Sequence, residues 1–266
     1  METFYFTSSS IVPVRKEPSE TSEMVTQLLF GDLVIGGLTE GNWLSIITIV
    51  DQYPGWVDEK MLSAIPVLPK DLDPVWFVGD PFLPARVEVP EGGNFTLRLS
   101  LGSSLPGLFT EESQGKLLSF PLKGQTIKVP RQGLIKKRNS QGNEIVEAGR
   151  LFLGTPYLWG GRSFWGMDCS GLTQMAFRLC GLNLPRDASQ QEKLGQIVTF
   201  DEKQPGDLAF FSGESGKVNH VGIVSSAGMV LHASGRVRED KLLKEGIFNF
   251  QNSNFSHQLF NLKRYI

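Results

Sequence analysis

The sequence predicts an α+β protein in which two small β-barrels precede a domain of helices followed by strands. Residues 1–70 and 71–135 contain short β-type runs broken by glycine, proline and aspartate, which is typical of small barrels. From about residue 143 the apolar residues follow helical spacing, and β-type runs return from residue 208. Helices followed by a group of strands indicate an α+β fold.

The first two zones define two predicted domains, residues 1–70 and 71–135. Their β-type runs include residues 33–35, 43–47 and 94–99, each bounded by turn-forming residues. The strand pattern of the second zone is the less regular of the two.

The third zone, residues 143–266, is predicted to begin with two helices. Apolar residues on one face of the first helix are Ile145, Ala148, Leu151 and Phe152, before a stop at Gly154 and Pro156. The second helix is expected over residues 169–180, with Gly181 at its end. Its apolar face is formed by Leu172, Met175, Ala176 and Leu179. Strands are expected at 208–211, 221–224 and 229–231.

The charge balance gives no reason to expect a nucleic-acid partner. The 266 residues include 26 Lys and Arg against 28 Asp and Glu, a formal net charge of −2, whereas phosphate-binding surfaces are basic. The compact basic run at residues 136–138 lies in a linker-like stretch, where a solvated linker is the simpler interpretation.

No window of the sequence approaches the roughly 18 uncharged apolar residues of a membrane span. Residues 1–6 lack the basic region and the long apolar stretch of a signal peptide. We therefore expect no membrane span and a cytoplasmic protein as written, or a periplasmic or secreted one if a leader has been removed.

The chain has two cysteines, Cys169 and Cys180. If residues 169–180 form one helix, their Cα atoms lie ~16 Å apart, and a disulfide tolerates at most ~7 Å. Cys169 is thus expected to be free, at a helix N-terminus, where unpaired N–H groups and the helix dipole favour the thiolate and lower the thiol pKa. The alternative is a small buried apolar residue, which is the interpretation we give Cys180.

Small and aromatic residues surround this cysteine in the sequence. Ser170 and Gly171 are small enough for a substrate to approach the first turn of the helix. Tyr157 and Trp159, followed by two glycines, supply aromatic groups that can wall a pocket. These residues are therefore candidates for contact with a substrate.

Three histidines are present, and two of them flank a predicted hairpin. His220 begins one strand and His232 ends the next, with turn-forming residues 225–228 between them. This hairpin places both imidazoles nearly opposite each other on one face, as a base and its orienting partner. Core histidines or half of a metal site are alternatives, although the spacing shows no metal-binding motif, and no metal or cofactor is predicted. His257, in the polar stretch 252–258, is expected to stay outside the chemistry.

Five segments of residues 143–266 resemble, in order, the NlpC/P60 cysteine peptidase domain, which has a papain-like α+β fold. They are PYLWGG at 156–161, DCSG at 168–171, GDLAFF at 206–211, NHVGIV at 219–224 and LHAS at 231–234. The resemblance implies Cys169 as nucleophile, His220 as base and His232 as the third polar residue. Tyr157 resembles the tyrosine that lies beside the nucleophile in that family.

Residues 12–15, 22–31, 43–46 and 51–57 resemble a bacterial SH3 domain. The chain is similar to the NlpC/P60 subgroup with two SH3-like domains, the γ-D-glutamyl-L-diamino acid endopeptidases that process free murein peptides. In that subgroup the first SH3-like domain narrows the cleft and lends an acid and a tyrosine to the substrate's amine. Glu23 and Tyr53 look like those residues, and Asp187 looks like a third contact. The second SH3-like domain, residues 71–135, matches poorly.

The implied substrate, L-Ala-γ-D-Glu-L-diamino acid, has a free amine that favours a carboxylate partner. Its free α-carboxylate on D-Glu makes Arg186 a candidate ligand. A pocket closed at the amine end would admit freed peptides and exclude intact stems. Two alternatives remain open: an amidase or transferase acting on intact wall, and a wall-binding protein with a silent peptidase domain. The diamino acid can be lysine or diaminopimelate.

Overall fold

A computed structural model describes residues 3–68, 72, 74, 76–90, 92–105, 110–112, 115–213, 216–226, 228–249 and 254–266. The chain forms two compact units, Met1–Lys137 and Arg138–Ile266, and each is described by itself. The predicted boundary between residues 70 and 71 lies outside the described residues.

The first unit begins with a seven-stranded antiparallel sheet in the order β3-β2-β6-β5-β4-β1-β7. Its strands are β1 (Thr3–Thr7), β2 (Ile11–Arg15), β3 (Met24–Leu29), β4 (Leu33–Glu40), β5 (Trp43–Thr48), β6 (Pro54–Asp58) and β7 (Leu62–Ile65). Alternate side chains of β2 and β5, such as Val12, Val14, Leu44 and Ile46, are buried because successive residues of a strand point to opposite faces. A 3₁₀ turn, Glu59–Met61, follows β6, and the Asp58 carboxylate accepts the Lys60 N–H.

The first unit continues with two smaller sheets, in the orders β10-β9-β14-β13-β12 and β11-β8-β15. The strands are β8 (Trp76–Val78), β9 (Phe82–Glu88), β10 (Asn94–Ser100), β11 (Ser104–Leu105), β12 (Thr110–Glu112), β13 (Leu117–Leu122), β14 (Gln125–Pro130) and β15 (Leu134–Lys136). Phe6 and Phe30 pack edge to face at 5.3 Å and share one hydrophobic cluster with Val78 and Leu83. The two predicted barrels therefore share a core. The likeness of residues 71–135 to an SH3 domain stays a prediction.

Both predicted helices of the second unit are confirmed, within a few residues at each end. The elements are α1 (Gly142–Arg150), β16 (Arg162–Ser163), β17 (Gly166–Met167), α2 (Cys169–Leu179), α3 (Ala188–Gln191), β18 (Gln196–Val198), β19 (Leu208–Ser212), β20 (Val218–Ser226), β21 (Met229–Ser234), β22 (Arg236–Leu243), β23 (Gly246–Asn249) and β24 (Asn254–Arg264). Every residue of α2 is buried, because the helix packs against α1 and against β20 and β21.

A seven-stranded antiparallel sheet runs in the order β18-β24-β19-β20-β21-β22-β23, and β24 also pairs with β23. One half of β24 pairs with β19 and the other half with β23. The long last strand thereby closes six strands into a ring. Within the described ranges, no helix is long and apolar enough to cross a lipid bilayer.

Candidate active site

The start of α2 is fixed by one buried carboxylate. Asp168 caps the helix and accepts the N–H of Gly171 at 2.7 Å. Its other oxygen accepts the N–H of Gly160 at 2.9 Å. Arg186 donates to both oxygens, at 3.0 and 2.6 Å, and its side chain is only 1% exposed. Such a bidentate pair holds the turn before Cys169 in a defined geometry.

The two motifs PYLWGG and DCSG meet at this turn. A Cβ on Gly171 would lie 2.3 Å from the carbonyl oxygen of Gly161, so that only glycine permits this approach. The carbonyl of Gly161 also accepts the Asp168 N–H at 3.1 Å. The glycines therefore allow the start of α2 to pack directly against the preceding turn.

The structure gives Arg186 and Ser170 hydrogen-bond partners within the second unit. The guanidinium of Arg186 faces Asp168 and donates to the Ser170 hydroxyl at 2.9 Å, and Ser170 in turn donates to Asp168 at 3.3 Å. Both side chains are buried, and these hydrogen bonds hold the start of the helix. Arg186 and the Ser170 hydroxyl thus belong to one hydrogen-bond network with Asp168. The expected contacts of both residues with substrate stay predictions.

Cys169, the first residue of α2, is 6% exposed. The backbone N–H groups of Val221 and Ser170 hydrogen-bond its sulfur, which places the sulfur beside the peptide that joins His220 to Val221. Burial, and then the Asp168 anion, nevertheless raise the pKa of the Cys169 thiol to about 12. The expected lowering of the thiol pKa at the helix N-terminus is therefore wrong, because desolvation outweighs the nearby N–H groups. Cys169 is a protonated thiol at neutral pH.

His220 and His232 lie on one face of the β20–β21 hairpin, as predicted. His232 pairs with Gly222 in the register, so that His220 is its diagonal neighbour rather than its direct opposite. The Nε2 of His220 lies 2.9 Å from Nδ1 of His232. Both side chains are buried.

An acid that the sequence interpretation missed completes this pair. Asp240 on β22 places Oδ2 2.9 Å from Nε2 of His232, and Arg238 approaches the same oxygen at 2.7 Å. Burial works to raise the pKa of Asp240, but hydrogen bonds and charges of His232 and Arg238 leave it below its ordinary value. The signal that could have found it is register: Arg238 lies opposite His232 and Asp240 two residues further on the same face.

These contacts assign the ring protons of both histidines. An ionised Asp240 only accepts, so that His232 carries its proton on Nε2. Its bare Nδ1 then accepts the Nε2–H of His220. This leaves Nδ1 of His220 without a proton, which is the state that a general base requires.

His257, expected to stay outside the chemistry, stacks on His220. The ring centroids are 4.1 Å apart with planes at 27°, and Nδ1 of His257 lies 2.9 Å from the Ser256 hydroxyl. Burial, followed by His257 and His232, holds the pKa of His220 well below its ordinary value. Burial and then His232 lower the pKa of His257 to about 4. Both rings are therefore neutral at pH 7.

Aromatic side chains near the cysteine remain accessible. Tyr157 is 37% and Trp159 61% exposed. Burial raises the pKa of Tyr157 to about 12, with smaller contributions from Cys169 and Asp168, so that its hydroxyl stays protonated and able to donate. Asp187 is the N-cap of α3, and its N–H donates to the side chain of Gln190 at 3.3 Å. Substrate contacts of Tyr157, Trp159 and Asp187 stay predictions.

Glu23 and Tyr53 lie in the first unit. The Glu23 side chain is 43% exposed and its carboxylate lies 3.6 Å from the Lys16 ammonium. Tyr53 is half-buried, and its N–H donates to the Thr48 hydroxyl at 2.8 Å. Their expected part in substrate recognition stays a prediction. Among the residues that the structure describes, no three His, Cys, Asp or Glu side chains are grouped to hold a metal ion.

Comparisons with known proteins identify the family. Residues 154–257 match the NlpC/P60 family, and residues 14–62 match the bacterial dipeptidyl-peptidase Sh3 domain. A gamma-D-glutamyl-L-lysine dipeptidyl-peptidase of Bacillus subtilis (strain 168) is 32% identical over 239 residues, which cover 84% of this chain and 77% of that protein. A protein of the same name from Bacillus cereus is 26% identical over 240 residues, covering 85% and 72%.

The fold agrees as well. The crystal structure of an NlpC/P60 family protein from Bacillus cereus covers 98% of this chain and 99% of its own, with a TM-score of 0.83 at 22% identity. That likeness concerns the fold, and the similarity to the Bacillus subtilis enzyme over most of both chains concerns the family. The chain therefore belongs to the NlpC/P60 family and is a cysteine peptidase that carries an SH3-like domain ahead of its peptidase domain.

Proposed function

We propose that this peptidase hydrolyses the γ-D-glutamyl-L-diamino acid bond of free murein peptides that begin with L-Ala. A peptide derived from peptidoglycan fits the family. The finer assignment is supported by the relatives named for gamma-D-glutamyl-L-lysine, which share most of the chain. The observation that carries the chemistry is the Cys169 sulfur beside the His220–Val221 peptide, with Nδ1 of His220 free of a proton.

The first half-reaction forms a thioester. Nδ1 of His220 takes the proton of the Cys169 thiol while the sulfur attacks the γ-carbonyl carbon of D-Glu. The carbonyl oxygen becomes an oxyanion, which we assign to the Cys169 backbone N–H and the Tyr157 hydroxyl. The C–N bond then breaks, and the amine of the diamino acid leaves with the proton held by His220.

The second half-reaction restores the enzyme. A water gives one proton to His220 and attacks the thioester carbon, the C–S bond breaks, and the sulfur recovers that proton. The products are L-Ala-γ-D-Glu and a peptide or amino acid with a free amine. Since the pKa of Cys169 is raised and that of His220 lowered, the resting pair is neutral, and proton transfer accompanies the attack.

The test is mass spectrometry of products after incubation with free murein tri- and tetrapeptides containing lysine or diaminopimelate. The wild-type chain should release L-Ala-γ-D-Glu, and Cys169→Ala should reduce turnover by about 10³-fold or more. Cys180→Ala is the matched control and should keep wild-type turnover. Retained hydrolysis by pure Cys169→Ala would reject the mechanism. Faster cleavage of polymeric peptidoglycan than of free peptides would favour a hydrolase of intact wall.

We further propose that Glu23 and Tyr53 recognise the free amine of L-Ala. The support is their likeness to the acid and the tyrosine of the subgroup. Glu23→Gln should raise KM for peptides with a free amine and leave kcat unchanged. Glu20→Gln is the control, because Glu20 is an exposed neighbour whose side chain lies 3.7 Å from Arg15. An equal KM in both variants would mean that this carboxylate does not set specificity.

A further inference from the structure

Asp240 ends a series of polar contacts that begins at His220, the residue next to the Val221 peptide that hydrogen-bonds the Cys169 sulfur. Contacts of 2.9 Å join His220 to His232 and His232 to Asp240. His232 is fully buried, so that water does not reach its ring in place of these partners. The Asp240 side chain is 17% exposed.

We propose that Asp240 is a positioning residue of the peptidase, which keeps the proton of His232 on Nε2 and thereby leaves Nδ1 of His220 open to the Cys169 thiol. This inference rests on the proposed function for the identity of the thiol reaction. Asp240 touches no reacting atom. Its effect passes through His232.

The alternative proton arrangement shows why an acceptor is needed at this place. If His232 carried its proton on Nδ1, it would donate to Nε2 of His220, whose own proton would then occupy Nδ1. Nδ1 of His220 would then carry a hydrogen, and the ring could not accept the thiol proton at that atom. A carboxylate beside Nε2 of His232 excludes this arrangement, because it has no proton to donate.

Charge adds a second effect. When His220 accepts the thiol proton, a cation forms inside the unit, and the Asp240 anion stabilises it through the His232 ring. Among the described residues, the titratable or charged groups that face the His232–Asp240 pair are His220 on β20, His257 on β24 and Arg238 on β22. Arg238 holds the Asp240 oxygen at 2.7 Å and so fixes the direction of the acceptor.

Two substitutions separate these effects. Asp240→Asn keeps an oxygen acceptor for Arg238 and His232 and removes the charge. Asp240→Ala removes both. We expect kcat on a free murein tripeptide to fall about 10-fold for Asp240→Asn and about 100-fold for Asp240→Ala, with KM unchanged. Glu239→Gln is the matched control on the same strand, since Glu239 pairs with Arg150 instead, at 2.7 Å, and it should keep wild-type kcat.

The tautomers themselves can be measured without turnover. The chain has only three histidines, so that the nitrogen-15 NMR spectrum of histidine-labelled protein shows signals from three imidazole rings. In the wild-type and Glu239→Gln proteins, His220 and His232 should both show protonated Nε2 and bare Nδ1. Asp240→Ala should show mixed tautomers for both rings, and thermal unfolding of each variant verifies that it is folded.

The outcomes are distinct. A wild-type kcat together with wild-type tautomers in Asp240→Ala would overturn the positioning role while leaving the peptidase function intact. Loss of activity with wild-type tautomers and a lowered melting temperature would also overturn it, in favour of a structural role. No hydrolysis by the wild-type protein would overturn the proposed function, whereas a tautomer change in Asp240→Ala would still support the positioning role.

Discussion

Replacing Arg186 by methionine tests whether this residue supports the site or binds substrate. The substitution keeps much of the side-chain volume and leaves the Asp168 carboxylate buried without its cation. Breaking a buried ion pair by removing one partner costs about 3–5 kcal/mol of unfolding free energy. Two backbone N–H groups still bind Asp168, at 2.7 and 2.9 Å, and so we expect the lower end, about 3 kcal/mol.

That loss is large enough to measure by calorimetry on the whole chain. For a unit of this size, about 3 kcal/mol lowers the melting temperature by about 10 °C. The control is Arg150→Met. The Arg150 side chain is 36% exposed and pairs with Glu147 and Glu239 at 2.7 Å each. An exposed pair contributes at most about 1 kcal/mol. A wild-type melting temperature of Arg186→Met, combined with a KM raised 10-fold or more, would refute the structural role and support Arg186 as a substrate ligand.

Three further predictions concern the site itself. In a Cys180→Ala background, the rate of alkylation of Cys169 by iodoacetamide should rise about 10-fold per pH unit up to pH 9, because burial raises the pKa of the thiol to about 12. A rate that reaches a plateau near pH 7 would instead indicate a preformed thiolate. His257→Ala should move the acidic limb of the pH profile of kcat/KM to higher pH. Burial and His257 both lower the pKa of His220, and the neutral His220 ring is the active form. An unchanged acidic limb would contradict this prediction. Tyr157→Phe should lower kcat about 100-fold if its hydroxyl stabilises the oxyanion, with KM and melting temperature unchanged in steady-state kinetics and calorimetry.

The local sequence pattern was sufficient to predict the parts of the site that are close together along the chain. The apolar spacing of residues 172–179 and Gly181 at the end predict α2 and place Cys169 at its first turn. The turn-forming residues 225–228 predict the hairpin that brings His220 to His232. Each of these inferences depends on a helix period or a strand period and on one turn.

The remaining features depend on tertiary placement. The pKa of the Cys169 thiol is raised mainly by burial, and the strand residue Val221 beside the sulfur lies some 50 residues later in the chain. An argument from the local helix dipole does not include this burial. Asp240 reaches His232 through the register of a second hairpin, and His257 reaches His220 through the pairing of β24. Arg186 follows a short loop, where sequence does not distinguish a buried ion pair from an exposed ligand.

The double pairing of β24 has a consequence for the order in which the enzyme is made. This strand follows every other strand of the ring along the chain, and both β19 and β23 need it to cover an edge. While residues 254–264 are still inside the ribosome, the nascent unit exposes two unpaired edges, which are sites for mispairing with other chains. The imidazole of His257 also arrives only then, so the proteolytic centre is completed at the last stage of synthesis of its own unit.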